Sequence, residues 1–262
     1  MQGTGLVAQA FGPGLAGYVI SIVGTALGFG FDALTFVFTA VLTLFVKQPP
    51  KPASSTDLQS TKPSIWADIA DGLRYVRDRH TLLTVLLVSA ALNFFFAGPI
   101  SLGTAKLAAD RFTEGATALG IMGSGFGIGS LLGMVLASIL KPRRFGLIIM
   151  FNVACAGIGL AVYGLVPTVL VAGLLSIAIG IMLGFTNILA ISWLQKQIAP
   201  EMMGRVMSLV MLAGFGLVPI SSALAGVLVQ ANLVLMFGIS GACVFLISLL
   251  TLFDAEIRNM TN

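Results

Sequence analysis

Charged side chains divide this sequence into long apolar blocks joined by short polar connections. None stands between residues 1 and 31, and Asp32 alone interrupts the run that continues to Val46. Further blocks run from His80 to Ala105, Gly115 to Leu140, Phe145 to Gln195 and Val206 to Phe253. About 20 apolar residues in a row suffice for a helix to cross a bilayer core of roughly 30 Å. A single helix over 145–195 would reach about 76 Å at about 1.5 Å per residue, far too long for one crossing. It is expected to turn at Val166-Pro167-Thr168, and the last block at Gln230-Ala231-Asn232. The first block divides into spans over 6–24 and 30–46, turning near Gly28-Phe29-Gly30. The pattern predicts an all-α integral membrane protein with eight crossings.

Composition agrees. The chain has 262 residues, 57% hydrophobic and 9% charged, with a mean hydropathy of +1.03. Soluble domains carry about 25% charged residues, so lipid is the expected main surroundings. The formal charge of +4 is scattered through loops, not gathered in a patch, which argues against nucleic acid. It orients the chain instead. Lys47, Lys51, Lys62, Arg74, Arg77, Arg79, Lys141, Arg143, Arg144, Lys196, Arg205 and Arg258 fall on one side of an eight-span topology, and only Lys106 and Arg111 on the other. Basic loops stay in the cytoplasm, so both termini are expected there. Cys155 and Cys243 lie inside apolar runs, with no disulfide framework or metal-ligand spacing. The start, MQGTG, lacks a basic region and a cleavage pattern, so no removable signal peptide is read.

Leu15–Phe45 and Leu224–Phe253 both open with Leu-Ala-Gly and close with Leu-Thr-Leu-Phe. Repeated helix pairs of this kind occur in the two related halves of transporters. On that reading six helices follow the central loop and two precede it, leaving four of a twelve-helix plan unaccounted for. Between the halves, Ser64 to Arg79 places Ile65, Ile69, Leu73 and Val76 on one helical face, with Trp66 as an interfacial anchor. This helix is either a moving link or a docked spacer.

Polar groups inside apolar runs are the candidate chemistry. Asn93, Thr186 and Asn187 either hydrogen-bond between helices or line a substrate pathway. Asp32, close after the expected first turn, either caps a helix N-terminus or serves as a coupling group. Gly125, Gly129 and Gly133 recur every four residues and form a stripe for close helix approach or sliding. His80 stands alone, and no catalytic trio or metal cluster is visible, so neither an enzyme, a metal site nor a cofactor is expected.

The stretch IAPEMMGRVMSLVMLAGFGLVPISSALAG, with Pro200 before Gly204-Arg205-Val206-Met207-Ser208, resembles the cytoplasmic loop and eleventh helix of major facilitator superfamily exporters. It is most similar to the drug:proton antiporter-3 branch, which includes enterobactin-exporter-like and macrolide-efflux-like proteins. Phe11–Gly17 and Phe31–Phe36 resemble that family's fifth and sixth helices, and Asp68–Asp78 the segment before the seventh. Gly133 with Lys141, Arg143 and Arg144 is similar to its basic turn between the eighth and ninth. Nothing matches its first four helices.

The resemblance implies a partial major facilitator fold. Residues 1–47 would be the last two helices of the N-terminal bundle, 48–80 the central cytoplasmic loop, and 81–262 the C-terminal six-helix bundle. It implies an inner-membrane, multi-pass efflux antiporter that exports a small molecule such as a drug or siderophore by alternating access, with protons as coupling ion. Lys141, Arg143, Arg144, Glu201, Gly204 and Arg205 would form a cytoplasmic gate. Gly12, Pro13, Pro219 and Gly226 would let helices pack and bend. The alternative is a non-transporting membrane protein, a truncated remnant or a partner subunit in a membrane complex.

Overall fold

A computed structural model describes residues 2–45, 65–140 and 145–254. Ten α-helices account for nearly all of them: α1 Gln2–Leu44, α2 Ile65–Arg77, α3 His80–Gly98, α4 Thr104–Arg111, α5 Ala116–Leu140, α6 Phe145–Tyr163, α7 Val169–Gln197, α8 Met203–Phe215, α9 Val218–Ala231 and α10 Leu233–Leu252. A π-helical segment, Pro99–Gly103, joins α3 to α4, and a 3-10 turn, Pro200–Met202, leads into α8. Seven helical stretches are long and apolar enough to cross a bilayer, among them His80–Arg111 and Pro200–Ala231. The first is itself two. Gly24 breaks α1 with φ 80° and ψ 163°, a conformation open to glycine because it has no Cβ. Leu15 and Asp32, on opposite sides of the break, line one cavity, so the arms fold back on each other. Each arm, 2–23 and 25–44, is about 30 Å long, one bilayer core.

The first turn therefore falls at Gly24, not at Gly28–Gly30. The repeat explains why: Gly24 and Asn232 each stand 21 residues before the closing Phe45 and Phe253. Both copies reverse at the same place by different chemistry. Gly24 uses a positive φ, whereas the Asn232 side chain accepts a hydrogen bond from Leu235 N–H at 2.9 Å and caps α10. The other two turns are as expected, with Thr168 capping α7. Asp32 is not a cap. It lies about 12 Å beyond the break, two turns into the second arm.

Small residues set the packing. Along α5 and α7, which run parallel, a Cβ at Gly125, Gly129 or Gly133 would strike the backbone carbonyl of Gly173, Ile177 or Ile181. Gly180 and Gly184 return the contact against Phe126 and Ser130. A different face of α5, Gly120 and Gly123, meets Pro13 and Gly17 of α1, and Gly14 N–H donates to Ser124 Oγ at 2.7 Å. Antiparallel α6 and α10 approach at Gly157 and Gly241, with Ser248 Oγ donating to Met150 C=O at 2.6 Å. Outside these seams large apolar side chains face outward, as Phe29, Leu170 and Val227 do, the arrangement lipid requires.

Charge collects at the two ends. At one end Lys106 pairs with Asp110 at 2.6 Å, and Arg111 Nη1 donates to the carbonyls of Gly164 and Val166 at 2.7 and 3.3 Å. At the other end α2 docks on α8 and α3 through Gly72, Tyr75 and Val76, while Ile69 and Leu73 remain exposed. Its protein-facing side is thus rotated from the Ile65-Ile69-Leu73-Val76 face. Trp66 lies outside the described side chains.

Candidate functional site

A cavity of about 340 Å³ opens between α3, α7 and α8. Asn93, at the middle of the His80–Arg111 span, and Asn187 of α7 both line it. Met207, Met211 and Phe215 of α8 supply the apolar wall, and Ser89 adds a hydroxyl. Asn93 Nδ2 donates to Ser89 C=O at 2.9 Å, which holds the amide against its own helix. Asn187 has no hydrogen-bond partner among the described residues. No charged side chain among the described residues lines the space. Such a pocket accepts an apolar molecule and orients it through amide hydrogen bonds.

Thr186 is not part of it. A helix turns about 100° per residue, so neighbours in sequence look in different directions. Thr186 lines a separate cavity of about 60 Å³ with Trp193, Phe145 and Met150, and its Oγ1 is buried without a partner. Ser89 borders both spaces.

The turn entering α8 lies beside the end of the larger cavity that Val76 and Val206 line. Arg205 Nη1 is 3.5 Å from the Asp71 carboxylate and 3.8 Å from Met202 Sδ. Ala199 N–H donates to Tyr75 Oη at 3.0 Å, and the Arg79 guanidinium lies 3.7 Å over the Tyr75 ring, a cation–π contact. Glu201 is exposed on the 3-10 turn, and Gly204 has open space where a Cβ would stand. Lys141, Arg143 and Arg144 lie outside the described residues. Asp71 and Tyr75 are the partners that sequence reasoning missed; their only signal was the amphipathic pattern of α2.

The remaining residues are dispersed. Asp32 lines the cavity of about 610 Å³ between the arms of α1, with Leu15, Val19 and Thr35. Gly12 has nothing within 4 Å of a Cβ position, and Gly226 meets only Leu102 at 3.7 Å. Pro219 begins α9 just after the Gly216-Leu217 break that separates it from α8.

A helical bundle with close glycine crossings and membrane-length apolar helices is that of a multi-pass membrane protein. The chain belongs to the Major Facilitator Superfamily, whose family model matches residues 1–223. It is 28% identical over 214 residues to an uncharacterized MFS-type transporter, YkuC, of Bacillus subtilis (strain 168), covering 76% of this chain and 47% of that one. It is 25% identical over 260 residues to another, y4rN, of Sinorhizobium fredii (strain NBRC 101917 / NGR234), covering 94% of this chain and 60% of that one. The chain thus spans about half the length of the curated relatives it matches.

Proposed function

We propose that this chain forms the substrate-handling part of a small-molecule exporter that works by alternating access, coupled to protons and oriented with both termini in the cytoplasm of an inner membrane. The observation that carries the proposal is the convergence of Asn93 and Asn187 on one uncharged cavity between α3, α7 and α8. Residues 1–47 supply helices from one bundle, 81–262 the other, and α2 lies in the loop between them. The drug:proton antiporter-3 branch fits the Gly204–Ser208 stretch, with a drug or siderophore as cargo. At the gate, Arg205 and Glu201, together with Lys141, Arg143 and Arg144, exchange partners as the bundles rock; the Asp71 contact at 3.5 Å is one such partner. Pro13 and Pro219 provide bends, since proline withholds a backbone hydrogen bond. Asp32, an acid within an apolar arm, is the candidate proton carrier.

The test is uptake into vesicles holding the purified chain under an imposed pH gradient, with a labelled macrolide and a catecholate siderophore as probes. Flux of one probe is expected, and Asn187→Leu should lower it roughly tenfold, about one ligand hydrogen bond, without loss of folded protein. Absence of gradient-driven flux for both would favour a membrane protein that does not transport by itself.

A further inference from the structure

The Ser221 hydroxyl of α9 lies inside the hydrogen-bond ladder of α3. It accepts from Gly98 N–H at 2.9 Å and donates to the carbonyl of Phe94. In an undisturbed α-helix those two backbone groups, four residues apart, would bond to each other. Next to them Pro99 has no N–H to offer Phe95, so α3 lacks that rung and continues as the π-helical segment, with the Ser221 hydroxyl engaging both groups of the rung before it. The partner helix is interrupted as well. Ser221 follows the Gly216-Leu217 break and Pro219. The two discontinuities therefore touch, and the contact is too tight for any side chain at Gly98, whose Cβ would overlap Ser221. Ser221 is 2% exposed.

An inserted hydroxyl bends a helix, and it does so at little cost in satisfied groups. Should it leave, Gly98 N–H and Phe94 C=O can meet directly, and the hydroxyl can fall back on the carbonyl of Leu217 four residues earlier in its own helix. Neither helix would be left with a stranded backbone group, so both arrangements are accessible. The bend falls at residues 94–98, immediately after Asn93, whose amide is tied to Ser89 C=O and so moves with the half of α3 that precedes the bend. The other side of the joint is α8, whose Met211 and Phe215 form the facing wall of the cavity.

We propose that Ser221 is a positioning residue: its hydroxyl, bridging Phe94 and Gly98, sets the bend of α3 and with it the direction of the half that ends at Asn93, and its withdrawal lets α3 straighten and turns Asn93 away from the cavity. The consequence for cargo rests on the cavity being the substrate site; the movement itself does not. The experiment places a cysteine at Asn93 in the full chain in lipid nanodiscs and follows maleimide labelling by mass spectrometry. The native Cys155 and Cys243 report on the fold in the same molecules. Ser221→Ala is expected to slow labelling at position 93 about fivefold, the factor one hydrogen bond of ordinary net strength supplies, while Cys155 and Cys243 keep their rates. Ser221→Thr, which restores a hydroxyl, is expected to restore the rate. An unchanged or faster rate at position 93 in Ser221→Ala overturns the proposal. So does an equal change at all three cysteines, the signature of general loosening, or a Ser221→Thr variant that keeps its fold and labels like Ser221→Ala. None of these readings depends on transport, so failure here is distinct from failure of the exporter reading.

Discussion

The α5–α7 seam and the α3–α9 crossing both bring two helices to backbone distance, and they do it by opposite means. Along α5 and α7 the contact repeats through Gly125, Gly129 and Gly133, each against a carbonyl of an unbroken helix. Contact there is distributed over several small residues and runs backbone against backbone. At the α3–α9 crossing a single glycine, Gly98, meets a single serine at the place where both helices have lost rungs to proline. Contact there is concentrated in two hydrogen bonds that the helices can remake internally. The comparison teaches that close approach alone does not distinguish a weld from a joint; continuity of the ladders on either side does.

The strongest way to break that contrast is Gly133→Val. The Ile181 carbonyl and Phe185 N occupy the space, the latter at 2.7 Å from a Cβ position. Overpacking against backbone is expected to cost about 3 kcal/mol, read as a lower melting temperature and loss of the monodisperse peak in detergent. A variant that melts with the parent would show that α5 and α7 separate easily. Tyr75→Phe sharpens the other side of the comparison, where α2 is tied to the segment entering α8. It leaves Ala199 N–H without its partner and should destabilise by about 1 kcal/mol in denaturant unfolding, with faster amide exchange at Ala199. Unchanged exchange would mean that the tie does not hold the turn. Smallest is Ser124→Ala. The α1–α5 contact mixes a glycine face with one serine bond to Gly14 N–H, and buried membrane hydrogen bonds average about 0.6 kcal/mol. A loss well above that, measured by the same unfolding assay, would class this contact with the joints.

Much of the fold was legible because charge is costly in lipid and some turns carry residues that stop helices. The turns at Val166–Thr168 and Gln230–Asn232 carry Pro167 and Asn232, which stop helices by known chemistry. The first turn was misplaced because Gly24, Gly28 and Gly30 are equally free to reverse; equal arm length and the register of the repeat decide for Gly24. Asn93 and Asn187 stood out as amides in apolar runs. Thr186 stood out equally and faces elsewhere, since adjacency in sequence is separation around a helix. Ser124 and Ser221 were illegible: serine is common in membrane helices, and what matters is the backbone atom each one reaches on a helix far away in sequence. The partner of Arg205 was hidden for the same reason, because Asp71 sits on a helix whose docking face is set by Gly72, Tyr75 and Val76.

One end of the molecule is electrically blank. Lys106, Asp110, Arg111 and Glu114 sum to zero there, with Lys106 neutralised by Asp110 and the Arg111 guanidinium folded onto two carbonyls. The whole surplus of +4 therefore belongs to the rest of the chain. A voltage across the bilayer, worth about 2.3 kcal/mol per elementary charge per 100 mV, therefore exerts no net pull through these four charges.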